Sequence, residues 1–436
     1  MLRTALIVGA LSAAVLGDDE SSCQMPHVAP QLARGADPGP LGGAEGFLLS
    51  AKQRAALVSR PLPPILFAKT HKTASSTVAC VLLRAGDWRN LTFMVAQNGS
   101  GFNFPGPFPG EPWNAWAAAA DRSPRGRARF DLIVNHAVLD LPAMLGFLRK
   151  GPERPLVVTV LREPWRQAQS AYNWYPRLRA RSPDEHLDWA EGLAEVASAE
   201  AAAARNPQAH DLGWYRHTGG STAHDAADEG WVGPWVSATL SAVDVALPAE
   251  HLEEGLLVLR DRLGGRLAVE ELASLRMKEA GPGATVRFSE AQRARAGRVS
   301  RVDAAIYAAA SARFNQEVGA LARAESAAGG FAEDLERLRA LNRRLAEACE
   351  GMPQWGYAHL HPPTSQGEAK ERACPVAART DARGYTFRTT ARLCAARTTD
   401  VPAALCEDPH VAGSLLEHGA PADGEAASSS YRGLGW

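Results

Sequence analysis

A short polar segment between two apolar stretches holds the residues best suited to bind an anion. Ile65 to Ala68 is apolar and predicts a strand, and apolar residues at helical spacing follow Ser75. The loop between them combines Lys69 and Lys72 with several hydroxyl side chains. A helix that begins at Ser75 points its unpaired N–H groups and the positive end of its dipole at this loop. The pattern therefore predicts a strand, an anion-binding loop and a helix.

The chemistry of the loop restricts the kind of anion. The nucleoside-triphosphate loop G-x-x-x-x-G-K-[ST] needs glycines where the backbone approaches the phosphates, and a Lys followed by a Mg²⁺-binding hydroxyl. Lys72 and Thr73 supply the second feature, but the segment from Lys69 to Thr77 contains no glycine. A smaller group of the 5′-phosphate type fits this turn better. The alternative, from the pattern alone, is an ordinary solvated helix N-terminus.

A second segment places an arginine at the end of a strand. The continuous apolar run from Leu156 to Leu161 predicts a strand buried on both faces, with Arg162 directly after it and Pro164 at the start of a helix. Ser170 lies eight residues after Arg162, about two helical turns along. The Arg fork and the Ser hydroxyl are donors suited to phosphate oxygens.

A third segment, Phe130 to His136, predicts a strand that ends in Asn135 and His136. Because α/β sheets place their ligands at the carboxyl ends of parallel strands, His136 is a candidate general base. A neutral imidazole accepts a proton near neutral pH, as activation of a sugar hydroxyl requires. The alternative is a histidine held by hydrogen bonds in a structural role.

These motifs resemble those of one known family. The string from Lys69 to Thr77 (KTHKTASST) resembles the 5′-phosphosulfate loop of the galactose-3-O-sulfotransferases, a family that includes the galactosylceramide sulfotransferase, and Leu161 to Tyr172 is similar to its 3′-phosphate motif. The resemblance covers roughly residues 62 to 320. It implies that 3′-phosphoadenylyl sulfate (PAPS) is the donor. The implied donor-binding residues are Lys69, Thr70, Lys72, Thr73, Ala74, Ser75, Ser76, Thr77, Arg162 and Ser170.

The resemblance also implies a fold and a reaction. The fold would be α/β, the P-loop-NTPase-like sulfotransferase fold with a central parallel sheet flanked by helices. The acceptor would be a hydroxyl, the 3-hydroxyl, of galactose in a glycolipid or glycoprotein glycan. His136 or His71 would take its proton, and Lys72 would stabilise the leaving group without a metal ion. A uronyl or heparan-type 2-O-sulfotransferase, a nucleotide kinase and a non-catalytic secretory glycan-binding relative are the alternatives.

Composition indicates one main domain with extensions. Of 436 residues, 46% are hydrophobic and 22% are charged, which permits a large core. The 47 basic and 48 acidic residues nearly balance, so nucleic acid is not an expected partner. We expect a signal peptide or short signal anchor at 1–17, a Pro/Gly/Ala-rich linker at 18–60, the sulfotransferase domain at 61–348 and a Cys-containing, loop-rich tail at 349–436.

The ends of the chain indicate the secretory pathway. Residues 1–17 contain an apolar run of about 12 residues, shorter than the roughly 20 that a spanning helix needs. Sequons begin at Asn90 and Asn98. These features predict entry into the secretory pathway, and the family resemblance implies the Golgi lumen. Attachment to the Golgi membrane through an uncleaved N-terminus is one alternative, and a cytosolic protein is another. The tail cysteines predict one or two disulfides, and zinc is the alternative. They are Cys349, Cys374, Cys394 and Cys406.

The remaining segments have less specific patterns. The turn-rich aromatic segment 96–112 is expected near the acceptor sugar. Asp184 to Ala204 predicts one helix and His251 to Leu263 an amphipathic helix. Residues 289 to 348 look helical, and they carry an apolar edge that predicts a core or docking face. The edge consists of Leu335, Leu338, Leu341 and Leu345.

Overall fold

The computed structural model describes residues 56, 59–89, 91–94, 108, 130–194, 196–219, 229–275, 285–325 and 330–348. Several sequence predictions fall outside these residues. They are the N-terminal signal or anchor, almost all of the linker, Asn90 and Asn98 of the sequons, segment 96–112 apart from Phe108, and the cysteine-containing tail.

A parallel five-stranded sheet forms the centre of the fold. Its strands are β1 (Ile65–Ala68), β2 (Phe93–Met94), β3 (Leu132–Ile133), β4 (Leu156–Leu161) and β5 (Val245–Pro248), in the order β2-β3-β1-β4-β5. All four pairings are parallel. The central strand β1 is buried along its whole length, as expected for a sheet covered on both faces. The strands predicted at the positions of β1, β3 and β4 are thus confirmed, and β2 was not predicted.

Helices cover both faces of the sheet. In chain order they are α1 (Ser75–Trp88), α2 (Leu141–Phe147), α3 (Pro164–Trp174), α4 (Pro176–Arg179), α5 (Pro183–Gly192), α6 (Ala199–Arg205), α7 (Pro207–Asp211), α8 (Trp214–His217), α9 (Glu229–Ala242), α10 (Leu252–Arg262), α11 (Val269–Leu272), α12 (Glu290–Val299), α13 (Arg301–Glu325) and α14 (Gly330–Ala348). A 3₁₀ turn, Ala249–His251, precedes α10. The predicted starts of α1 at Ser75 and of α3 at Pro164 are confirmed.

The prediction of one helix from Asp184 to Ala204 is wrong. Two helices occupy this segment, and each has its own N-cap. Ser182 forms a capping box with Glu185 at the start of α5, and the Ser198 side chain accepts a hydrogen bond from the Ala201 N–H at 3.1 Å at the start of α6. The alanine-rich composition favours helix throughout but does not mark this interruption. The helical region after residue 289 is likewise divided, into α12, α13 and α14.

Two hydrophobic cores lie on opposite faces of the sheet. Alternate residues of β1 enter different cores: Ile65 and Phe67 join one, and Leu66 and Ala68 join the other. The first core also receives the leucine edge of α14, where Leu338 is completely buried. Of the two interpretations of that edge, the core interpretation is therefore confirmed.

A buried ion pair anchors the end of α1. The Arg89 and Glu271 side chains, 1% and 0% exposed, form a two-pronged contact in which Arg89 Nη2 lies 2.9 Å from Glu271 Oε2. Arg89 also donates to the carbonyls of Ala85 and Arg266, both at 2.9 Å. A buried pair of charges is tolerated only when such hydrogen bonds satisfy both partners, so this contact fixes α1 against α11.

A buried carboxylate fixes the N-terminus of α7. Asp303, on α13, is fully buried and accepts hydrogen bonds from the N–H groups of Gln208 (3.2 Å) and Ala209 (2.7 Å). In the opposite direction, Asn206 Oδ1 accepts from the N–H groups of Val302 (3.0 Å) and Asp303 (3.3 Å). Burial, with a contribution from the nearby negative charge of Asp211, raises the pKa of Asp303 to about 7.

Removing one partner of the buried ion pair is expected to destabilise the fold strongly. Glu271→Ala leaves the Arg89 guanidinium buried without its carboxylate, and we expect the free energy of unfolding to fall by about 3–5 kcal/mol. Urea denaturation followed by circular dichroism measures it. The control is Glu270→Ala on the same helix, whose partly exposed pair with Arg337 should contribute about 1 kcal/mol or less. A loss for Glu271→Ala no larger than the control's would contradict the prediction.

The raised pKa of Asp303 predicts a pH-dependent contribution to stability. Because the carboxyl binds a proton more tightly in the folded protein, its contribution is fully present below the unfolded pKa of about 4 and is lost as pH rises to about 7. The stability advantage of the wild type over Asp303→Asn should therefore shrink by a few kcal/mol, as an order of magnitude, between pH 5 and pH 8. Urea denaturation at several pH values tests this, with Asp261→Asn on the surface as control. An advantage that stays constant with pH would refute it.

Candidate active site

The loop between β1 and α1 has an unusual backbone. Lys72 (φ 59°) and Ala74 (φ 63°) are both in the left-handed region, which residues with a Cβ adopt at a cost of about 1–3 kcal/mol each. Ala74 is also the N-cap of α1 and makes no side-chain capping hydrogen bond. The loop therefore makes, without glycine, the tight turn that brings its backbone and lysines to the N-terminus of α1.

Buried hydroxyl groups hold the loop in this conformation. Thr70 Oγ1 lies 2.7 Å from Thr73 Oγ1 and donates to the carbonyl of Val160 on β4. Ser75 Oγ donates to the carbonyl of Thr70 at 2.5 Å. Thr77 Oγ1 lies 3.4 Å from the carbonyl of Leu275. Four of the loop hydroxyls thus stabilise the fold around the loop, and their predicted part in donor binding stays a prediction.

The second motif meets the loop at the carboxyl ends of β1 and β4. Arg162 Nη1 donates to the carbonyl of Lys72 at 3.2 Å, across 90 residues of sequence. The Lys72 Nζ lies 3.9 Å from the centroid of the Trp174 ring, a cation–π contact with the end of α3. Gln167 Nε2, also on α3, donates to the carbonyl of His71 at 3.1 Å. Since Ser170 lies three residues after Gln167 and four before Trp174, it shares the face of α3 that faces the loop.

Two histidines predicted as base candidates lie side by side. The rings of His71 and His136 stack with centroids 3.9 Å apart and planes at 17°. His136 Nδ1 lies 3.2 Å from the carbonyl of Lys69. His71 Nδ1 lies 2.9 Å from both carboxylate oxygens of Asp211, and the His71 backbone N–H donates to Asp211 Oδ2 at 2.6 Å. The carboxylate is buried, with 2% of the side chain exposed.

The backbone of Arg162 is held by a side-chain amide. Gln208 Oε1 accepts from the Arg162 N–H at 2.7 Å, and Gln208 Nε2 donates to the Arg162 carbonyl at 2.9 Å. Both Gln208 and Asp211 lie on α7, the helix whose N-terminus Asp303 fixes. One short helix thus holds the arginine of one motif and the histidine of the other.

Four contributors to this arrangement were not predicted: Gln167, Trp174, Gln208 and Asp211. The sequence could have predicted Trp174, because it lies four residues after Ser170 on a predicted helix and so on the same helix face. No sequence pattern predicts Gln208 and Asp211, since the stretch around them carries no motif and their partners are distant in sequence. The predicted residues Lys69, Lys72, Ser76, Arg162 and Ser170 are half-buried around the loop, and their binding roles stay predictions.

Neither a metal-ion cluster nor a membrane-spanning helix occurs among the described residues. No group of three or more His, Cys, Asp or Glu side chains there is arranged to hold a metal ion. In the same part of the chain, every helix is too short or too polar to cross a lipid bilayer.

Comparison with known proteins identifies the family. The profile of the galactose-3-O-sulfotransferases matches residues 20–386. Human galactose-3-O-sulfotransferase 2 is 29% identical over 294 residues, which cover 66% of this chain and 68% of that protein. Mouse galactosylceramide sulfotransferase is 26% identical over 302 residues, 66% of this chain and 64% of that protein. No solved structure matches significantly. Since the family profile spans well over half of the sequence and both motifs fall inside the match, the chain belongs to the galactose-3-O-sulfotransferase family.

Proposed function

We propose that this chain transfers the sulfuryl group of PAPS to the 3-hydroxyl of a galactose residue in a glycolipid or glycoprotein glycan. Membership of the family supports the reaction class, and the names of the relatives specify galactose or galactosylceramide as their acceptor. The observation that carries the proposal is the contact between the two donor motifs, in which Arg162 Nη1 donates to the Lys72 carbonyl at 3.2 Å.

The charges around this contact fit the anionic groups of PAPS. Lys69 and Lys72 lie on the loop, and the N–H groups that begin α1 add the positive end of its dipole, so this side suits the 5′-phosphosulfate. Arg162 and the hydroxyl of Ser170 lie on the α3 side and suit the 3′-phosphate. This division would make β1, the loop and α1 a P-loop-like unit in which hydroxyl-bearing residues take the place of glycines.

PAPS supplies a sulfuryl group activated by its anhydride bond to the 5′-phosphate. The galactose oxygen attacks sulfur, forming an O–S bond while the bond between sulfur and the bridging oxygen breaks to release 3′,5′-ADP. Lys72, on the loop and held by its contact with the Trp174 ring, stabilises the negative charge that develops on the bridging oxygen. His71 or His136 takes the proton of the attacking hydroxyl.

The parts of the chain outside the described residues complete the proposal. Segment 96–112 would contact the acceptor sugar, and the cysteines of the tail would form one or two disulfides. Both fit a protein of the secretory pathway. We propose the Golgi lumen as the site of action, with residues 1–17 as a cleaved signal or an anchor.

Loss of donor affinity in single-residue variants tests the donor site. Lys72→Ala and Arg162→Ala should each weaken binding of 3′,5′-ADP about 10- to 100-fold, because each removes a charge-assisted contact to phosphate. Isothermal titration calorimetry on the purified chain measures this, with ATP and Mg²⁺ as the competing ligand.

Matched controls are Lys150→Ala and Arg166→Ala, which remove exposed cations and should bind as the wild type does. Preference of the wild type for ATP with Mg²⁺ would favour the nucleotide kinase. Binding of neither nucleotide would refute the donor site.

Acceptor chemistry separates this function from its alternatives. We expect sulfation of a β-galactoside and none of the matching 3-deoxygalactoside, since the latter lacks the attacking oxygen. Mass spectrometry of the products, with methylation analysis of the linkage, measures both. Modification of an iduronate-containing oligosaccharide instead would favour a 2-O-sulfotransferase. Glycan binding without turnover would favour the non-catalytic relative.

A further inference from the structure

The buried carboxylate of Asp211 holds two N–H groups of a single residue. Its Oδ2 accepts the backbone N–H of His71 at 2.6 Å, and both oxygens lie 2.9 Å from Nδ1 of the same residue. An ionised carboxylate accepts hydrogen bonds and cannot donate them, so Nδ1 of His71 carries the proton. The neutral ring then presents its lone pair at Nε2.

His136, whose ring stacks on that of His71, has a different group at Nδ1. His136 Nδ1 faces the carbonyl of Lys69 at 3.2 Å, so His136 has the same tautomer, but the group that orients it is neutral. A positive charge on the His71 ring would lie 2.9 Å from the Asp211 carboxylate. Because the ring centroids are 3.9 Å apart, positive charges on both rings at once would repel each other strongly.

The structure holds Asp211 itself rigidly. Its backbone carbonyl accepts from the Leu139 N–H at 2.8 Å, in the segment that follows His136. Its helix, α7, is fixed at the other end by Asp303, whose carboxyl group accepts the N–H groups of Gln208 and Ala209. The residue that holds the His71 ring is thus also tied to the segment that follows His136.

We propose that Asp211 is a positioning residue for the sulfuryl transfer described above: it fixes the Nδ1–H tautomer of His71 and aims Nε2 at the acceptor hydroxyl. In the step, the acceptor oxygen bonds to sulfur, the bond from sulfur to the bridging oxygen breaks, and the acceptor proton moves to Nε2 of His71. Asp211 stays ionised and pairs with the imidazolium that forms. The inference rests on the proposed function for its catalytic consequence, whereas the tautomer follows from the contacts alone.

The variant Asp211→Asn tests the positioning role. An amide whose oxygen accepts the His71 backbone N–H turns its NH₂ toward the ring, which then takes the opposite tautomer. We expect kcat to fall about 10²- to 10⁴-fold, with acceptor KM and the Kd for 3′,5′-ADP within about twofold of the wild type. Asp188→Asn, an exposed carboxylate on α5, is the matched control and should leave kcat unchanged.

A double-mutant cycle distinguishes positioning from a purely structural role. If Asp211 acts through the His71 ring, Asp211→Asn should cause less than a threefold further loss of kcat in the His71→Ala background. A full additional loss there would mean that Asp211 only supports the loop backbone, and would overturn the proposal. Unchanged kcat in Asp211→Asn would overturn it as well.

The tautomer can be measured without turnover. In the wild type labelled with ¹⁵N, the histidine side-chain correlation spectrum should show His71 protonated at Nδ1, and in Asp211→Asn at Nε2, with His71→Ala used for assignment. An Nε2–H form in the wild type would overturn the proposal even if Asp211→Asn failed to fold. Donor binding without sulfation by the wild type would remove the proposed function and the positioning role together, and leave the tautomer assignment standing.

Discussion

The contact between Asp303 and the N-terminus of α7 supports both halves of the candidate site. Asp303 accepts the first N–H groups of a helix that has only five residues and could not persist alone. Through Gln208 this helix clamps the backbone of Arg162, and through Asp211 it clamps His71. The positions of Arg162 and His71, which belong to different motifs, therefore both depend on α7. The buried carboxyl group of Asp303 fixes α7 from α13, and neither helix belongs to a motif.

Side-chain hydrogen bonds also fix the backbone of the loop between β1 and α1. Two residues with side chains, Lys72 and Ala74, adopt left-handed conformations that glycine would adopt without strain. The hydroxyls of Thr70, Thr73 and Ser75 offset that cost by hydrogen bonds within the loop and to β4. A loop built in this way is stiffer than a glycine-rich one, which would hold its N–H groups and cations in place for the anion that we propose it binds.

The sequence predicts those parts of the fold whose causes are local. Apolar runs locate β1 and β4, and a polar turn followed by helical spacing locates α1 at Ser75. The helix predicted from Asp184 to Ala204 is wrong because alanine favours helix on both sides of a break that Ser198 sets. Within the candidate site, every residue that the sequence predicts lies in one of the three motifs. The pairing of His71 with Asp211 spans 140 residues and has no sequence signal, since it exists only because the sheet brings α7 to the end of β1.

The position of Asp211 argues for a role beyond stability. It is the last residue of α7, where the carbonyl end of the helix disfavours a negative charge, and the charge lies near that of Asp303. A buried carboxylate in such a place is tolerated only when neighbouring hydrogen-bond donors compensate its charge. His71 supplies that compensation with both of its N–H groups, and the ring so held faces the stacked His136 at the carboxyl edge of the sheet. The Asp211 carboxylate thus orients an imidazole beside the loop that we propose binds the donor, where a correctly oriented base would serve the sulfuryl transfer.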